Sequence, residues 1–128
     1  MPGTLLLDTD VLIDYLRGQA KAVTFIDGLT DHQILSAITV AELYAGVRDG
    51  PERTALDAFV AAFEVVPVDD AIAIQGGLYR RDFGKSHGVG LADALIAATA
   101  ESRGATVVTF NQKHFPMLMS VQVPYQKP

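Results

Sequence analysis

TLLLDTDVLIDYL, residues 4–16, runs from an unbroken apolar segment straight into a series of acids. Nothing polar alternates with Leu5, Leu6 and Leu7, so a strand built on them is covered on both faces. Such strands belong to parallel sheets layered between helices. The run ends on Asp8, with Asp10 and Asp14 close behind, and VLIDYLRG then takes up amphipathic helical spacing until Gly18 stops it. An acid at the end of a buried strand calls for an explanation.

The rest of the chain repeats the alternation. A second helix over roughly 19–30 ends near Gly28, and 32–37 (HQILSA) reads as a strand. Helices follow at 39–50, closed by Gly50, and at 51–64, where Pro51 opens the helix without losing a needed N–H. A short strand at 65–68 precedes helices at 69–88 and 91–104, the latter capped by Gly104. Strands at 105–110 and 120–124 complete the series. Apolar strands separated by helices predict a single domain over 1–128: a three-layer α/β/α sandwich with a parallel sheet of four or five strands. In such sheets ligands sit beyond the carboxyl ends of the strands, and Asp8 lies at one of those ends.

Bulk composition narrows the function classes. At 49% hydrophobic residues the chain is a packed globule rather than a disordered one, and apolar enough to predict a docking patch for another chain. With no cysteine there is neither a disulfide framework nor a thiolate metal site. No apolar run approaches a membrane span and no signal segment opens the chain, so a cytoplasmic protein is expected. The net charge of −5 argues against indiscriminate binding to nucleic acid, but it is unevenly spread. Residues 1–64 carry ten acids against four bases, whereas Arg80, Arg81, Lys85 and His87 form a local basic cluster.

Each acid has a bland reading beside a chemical one. Asp8 could cap the first helix, although Thr9 and Asp10 could do so equally. Thr39-x-x-Glu42 matches a capping box opening a helix. Asp93 interrupts the small apolar run GLADALIAATA, where a carboxylate needs a partner. Asp69 and Asp70 read as caps, Asp10 as a neighbour supporting Asp8, and Asp14 as solvent-facing. His32, His87 and His114 have no ligand spacing. Taken together, Asp8, Glu42 and Asp93 each follow a strand or loop at one edge of the sheet, which would put all three in one crevice. Clustered carboxylates raise one another's pKa unless a cation joins them, and an oxygen-only set favours Mg²⁺ or Mn²⁺. Acidic sites of that kind act on phosphate esters.

Four segments, LLLDTDVLIDYLRG, ITVAELYAG, LADALIAATA and TVVTFNQKHF, resemble in order the signature segments of PIN-domain ribonucleases, most of all the VapC-type toxins of bacterial toxin–antitoxin pairs. The resemblance covers residues 4 to about 116. It implies a Mg²⁺- or Mn²⁺-dependent endoribonuclease acting on structured RNA, often tRNA. Asp8, Glu42 and Asp93 would hold the ion, with Thr9, Asp10, Thr109 and Asn111 around them. It also implies a homodimer and a cognate antitoxin that covers the site, with Tyr15, Leu16, Leu43, Tyr44 and Val47 as candidate docking surface. Arg80, Arg81 and Lys85 are candidate RNA contacts. One departure stands out: where members often have a fourth acid, this chain has Asn111, and nearby position 114, acidic in some relatives, is His.

Two other classes remain. Asp8-Thr9-Asp10 also fits the Asp-x-Asp of haloacid dehalogenase-type phosphatases, with Asp8 as nucleophile. That pattern wants Thr or Val where Leu12 stands, and it needs a later Lys motif that is not evident here. The non-enzymatic alternative is a protein-interaction module whose acids cap helices, a reading that Asn111 keeps open.

Overall fold

The structure is a computed structural model describing residues 3–127. Five parallel strands, β1 (Thr4–Leu7), β2 (His32–Ser36), β3 (Glu64–Val66), β4 (Thr106–Val108) and β5 (Val121–Gln122), lie in the order β3-β2-β1-β4-β5. Six helices alternate with them: α1 (Thr9–Leu16), α2 (Ala20–Asp27), α3 (Ala37–Ala45), α4 (Pro51–Ala61), α5 (Asp70–His87) and α6 (Leu91–Ser102). The chain builds outward from β1 to β3, then returns to lay β4 on the other side of β1. The switch point therefore falls between β1 and β4, where open α/β sheets form their crevice.

Side-chain alternation along the central strands divides the core into the two faces that the leucine run requires. Leu6, Ile34, Val66 and Val107 pack with Ile72, Ile96, Ala97 and Phe115 under α5 and α6. Leu5, Leu7, Leu35 and Val108 pack with Val11, Leu12, Ile26, Leu43 and Leu56 under α1 to α4. The three-layer α/β/α sandwich read from the sequence is the observed fold.

The third helix starts elsewhere than the capping box suggested. Ser36, the last residue of β2, is the cap, its hydroxyl accepting the Ile38 N–H at 3.0 Å, so α3 begins at Ala37. Thr39 is a buried residue inside the helix, and Glu42 lies beyond its first turn. The helix also ends at Ala45 with Gly46 as its cap, and Gly50 instead precedes α4. Asp69 caps α5 through Ile72 N–H, as read. Asp14 is not solvent-facing: it accepts the Tyr125 hydroxyl at 2.9 Å and pairs with Lys127 at 3.0 Å.

Candidate active site

Four elements converge beyond the carboxyl ends of β1 and β4. Asp8 follows β1 directly, is only 5% exposed, and is the N-cap of α1, so both readings of it hold structurally. Its Oδ1 accepts the Thr9 N–H at 2.8 Å, and its Oδ2 accepts the Thr109 hydroxyl at 2.8 Å from the residue that follows β4. The Thr109 oxygen in turn accepts the Asn111 N–H at 3.0 Å. Asp10 takes the Val11 N–H at 2.7 Å and the Phe110 N–H at 3.0 Å, with the Asn111 amide nitrogen 3.5 Å away. The helix register of α3 brings Glu42 to α1, where its Oε1 accepts the Thr9 hydroxyl at 2.7 Å; Thr39 Oγ1 lies 3.3 Å from the same hydroxyl. Asp93, in the first turn of α6, meets His114 Nδ1 at 3.1 Å.

The electrostatics follow from crowding acids in a half-buried crevice. Burial foremost, with Asp10 and Asp93, pushes the Asp8 carboxyl from 3.8 up to about 7 against the Thr109 and Thr9 hydrogen bonds. Burial also raises Asp10, against the N–H groups of Phe110 and Val11 and the Lys127 charge. Asp93 is raised by burial, then by Glu42 and Asp10, while His114 opposes the rise. No buried side-chain oxygen or nitrogen among the described residues lacks a partner, so the cluster is satisfied as it stands.

Asp8, Thr9, Asp10, Glu42, Thr109 and Asn111 form one hydrogen-bonded network, and Asp93 faces it electrostatically. His114, noted from sequence only as a histidine at a position acidic in some relatives, is the residue whose part in the crevice sequence reasoning missed. The available signal was a polar side chain immediately before Phe115 in the turn after a strand that ends at the crevice. Arg80, Arg81 and Lys85 are exposed along the last turns of α5, and Arg81 pairs with Asp82 at 2.8 Å. Among the described residues no ion pair joins them to the acids.

A cleft of about 520 Å³ opens beside the crevice between α1, α3 and α4. Ile13, Leu16, Leu43, Val47 and Leu56 give it an apolar wall, Arg17 and Arg48 add charge, and Glu42 lines it as well. Of the five candidate docking residues, Leu16, Leu43 and Val47 line this cleft, although Leu43 is also a core residue at 7% exposure. Tyr15 stacks on Phe59 and donates to Asp27, and Tyr44 donates to Asp57, so both are tied into the helical layer instead.

Comparison with known proteins settles the family. The PIN domain profile matches residues 5–116, which takes in every acid of the crevice. The chain belongs to the PIN domain family. Within it the chain is similar to Ribonuclease VapC19 of Mycobacterium tuberculosis, with 40% identity over 124 residues covering 94% of this chain and 98% of that protein. It is 36% identical over 127 residues to Ribonuclease VapC10 of the same organism, covering 97% and 95% of the two chains. Its fold is similar to a chain in a toxin–antitoxin complex from Klebsiella pneumoniae, with TM-score 0.83 and 25% identity over 96% of this chain and 99% of that one. The PIN chain described here is thus of the VapC type, and no helix among its described residues is long and apolar enough to cross a membrane.

Proposed function

We propose that this PIN domain is a Mg²⁺- or Mn²⁺-dependent endoribonuclease toxin that cleaves structured RNA, tRNA foremost, and is silenced by a cognate antitoxin. The observation that carries the reading is Asp8: a carboxylate buried at a strand end beside Asp10 and Asp93 and pushed up to about 7, where an uncharged Ser or Asn would cap the helix without that cost. The ribonuclease names of its relatives supply the substrate class.

The donor set fits a hard divalent cation: Asp8, Glu42 and Asp93 offer carboxylate oxygens, and their mutual repulsion is what a cation relieves. As the chain stands, no three His, Asp or Glu side chains among the described residues are arranged to hold an ion, and Glu42, Asp8 and Asp93 are instead bonded to Thr9, Thr109 and His114. When bound, a divalent cation would offset phosphodiester charge and lower the pKa of an attacking water. The chain's own residues do the rest. Thr9 and Thr109 aim Glu42 and Asp8, while Asp10 anchors the backbone after β4 through the Phe110 N–H. Arg80, Arg81 and Lys85 lie towards the end of α5 that leads into the Asp93 helix, and in this reading they contact RNA phosphates.

The α1/α3/α4 cleft is the antitoxin's seat in this reading. It is apolar at Leu16 and Val47, flanked by Arg17 and Arg48, and borders Glu42, so an occupant reaches the acids directly. The excess of apolar residues also suits a homodimer, and the absence of cysteine suits the cytoplasm.

The test is cleavage of a defined tRNA pool by purified, partner-free protein with Mg²⁺, Mn²⁺ or EDTA, beside Asp93→Ala. Metal-dependent cuts that vanish in the variant support the enzyme. Folded protein that cuts nothing with either metal would make the chain an interaction module instead.

A further inference from the structure

Asp93 is held differently from the other crevice acids. Asp8 and Asp10 accept backbone N–H groups, and Glu42 accepts a threonine hydroxyl. Among the described residues the one hydrogen-bond partner of the Asp93 side chain is His114, with Nδ1 3.1 Å from Oδ2. The N-cap of its helix, Gly90, contributes no side-chain bond. In the ionised form that a cation requires, the Asp93 carboxylate can only accept, so in that state the Nδ1 of His114 carries the hydrogen and donates it.

The turn that carries the ring is held in place by the core. His114 ends the 3-10 turn Gln112–His114, its N–H bonded to Asn111 O at 2.9 Å, and the next residue, Phe115, is 1% exposed among Leu6, Ile96 and Val107. The side chains of His114 and Asp93 are 29% and 27% exposed, so the contact is shielded from water on most sides. Phe115 anchors the turn that carries His114, and the His114 ring is what meets the Asp93 carboxylate.

We propose that His114 is a positioning residue: its Nδ1–H holds the Asp93 carboxylate toward Asp8, Asp10 and Glu42, and thereby sets the affinity of the crevice for a divalent cation. This rests on the metal-dependent reading above. Partners that hold a ligating side chain without touching the ion typically change metal affinity 10- to 100-fold. The assignment also gives a role to the imidazole that stands near Asn111, where the sequence offers no fourth acid.

The experiment is a Mn²⁺ titration of the partner-free full-length protein, with free ion counted by its paramagnetic resonance signal. Wild type is compared with His114→Ala, His114→Leu and His114→Asn. The first two donate nothing, whereas Asn presents an N–H close to where Nδ1 does. Expected is a loss of about 10- to 100-fold in Mn²⁺ affinity for the Ala and Leu variants. The Asn variant recovers most of that affinity, and the metal-free thermal melts of all variants coincide. Leu keeps bulk against the Phe115 turn, so the comparison survives if Ala alone fails to fold. Ala and Leu variants that bind Mn²⁺ as wild type does would overturn the proposal while leaving the metal reading intact, as would an Asn variant no better than Ala. Wild type that binds no Mn²⁺ would overturn both.

Discussion

Asp8 is destabilising when charged and useful for the same reason. Its folded pKa of about 7 against 3.8 means that the folded state holds a proton the unfolded chain has released. Between those values folding therefore takes up a proton, and stability falls as pH rises. The Asp8 contribution is present below about pH 4, declines up to about pH 7 and is gone above it. In EDTA the midpoint of thermal unfolding should fall across that window, and added Mg²⁺ should restore it most at the alkaline end. Asp8→Asn should flatten the pH dependence and stabilise the metal-free protein at pH 8 by about 1–3 kcal/mol, measured by urea unfolding, while RNA cleavage is lost. The replacement is accommodated because the Thr109 hydroxyl can turn to Asp10, whose Oδ2 lies 3.3 Å away. A second prediction concerns Thr9, which links α1 to α3 through Glu42. Thr9→Val removes that donor at little cost in bulk, and should lower cleavage with a stability change of about 1 kcal/mol or less. At this scale Asp8 was legible because an acid ending an apolar strand is conspicuous. His114 was not, because its partner lies 21 residues away and only the fold reveals the pairing.

At the scale of elements, the position of Asp93 depends on how closely α6 approaches α5. Gly76 permits that approach: a Cβ there would stand 2.5 Å from Leu95 Cδ2 and 3.1 Å from its Cα. Gly77, one residue on, faces open space. Gly76→Ala should cost about 1–3 kcal/mol through overpacking. Gly77→Ala should gain about 0.5–1 kcal/mol from helix propensity. Chemical denaturation of the two variants checks both signs. In the sequence the two glycines look alike; their unlike neighbours decide which is needed. The start of α3 shows a similar limit. Ser36 and Thr39 both suit a cap, and the choice went to Ser36 because Thr39 is buried next to Thr9, a contact from outside the segment.

At the scale of the molecule, the apolar strand runs made the parallel sheet and its two helical layers legible, since burial on both faces leaves a pattern in each strand. The cleft was legible only in part. Leu16, Leu43 and Val47 were singled out, but its walls come from three helices, and α4 entered through Leu56 and Glu52. Leu16, 42% exposed, tests its role without disturbing the core. Leu16→Asp should leave the melting curve and RNA cleavage of the free protein unchanged, and should weaken neutralisation by the partner. Co-expression growth assays and calorimetric titration with the partner measure this.

The Thr109–Asp8 hydrogen bond closes a loop of 101 residues. Asp8 is synthesised well before the strand end that steadies it and the Phe115 turn that carries His114. A nascent chain thus carries Asp8, Asp10, Glu42 and Asp93 before it has the Thr109 hydroxyl and the His114 ring that hold two of them, so the crevice assembles only after the last of its acids has been made.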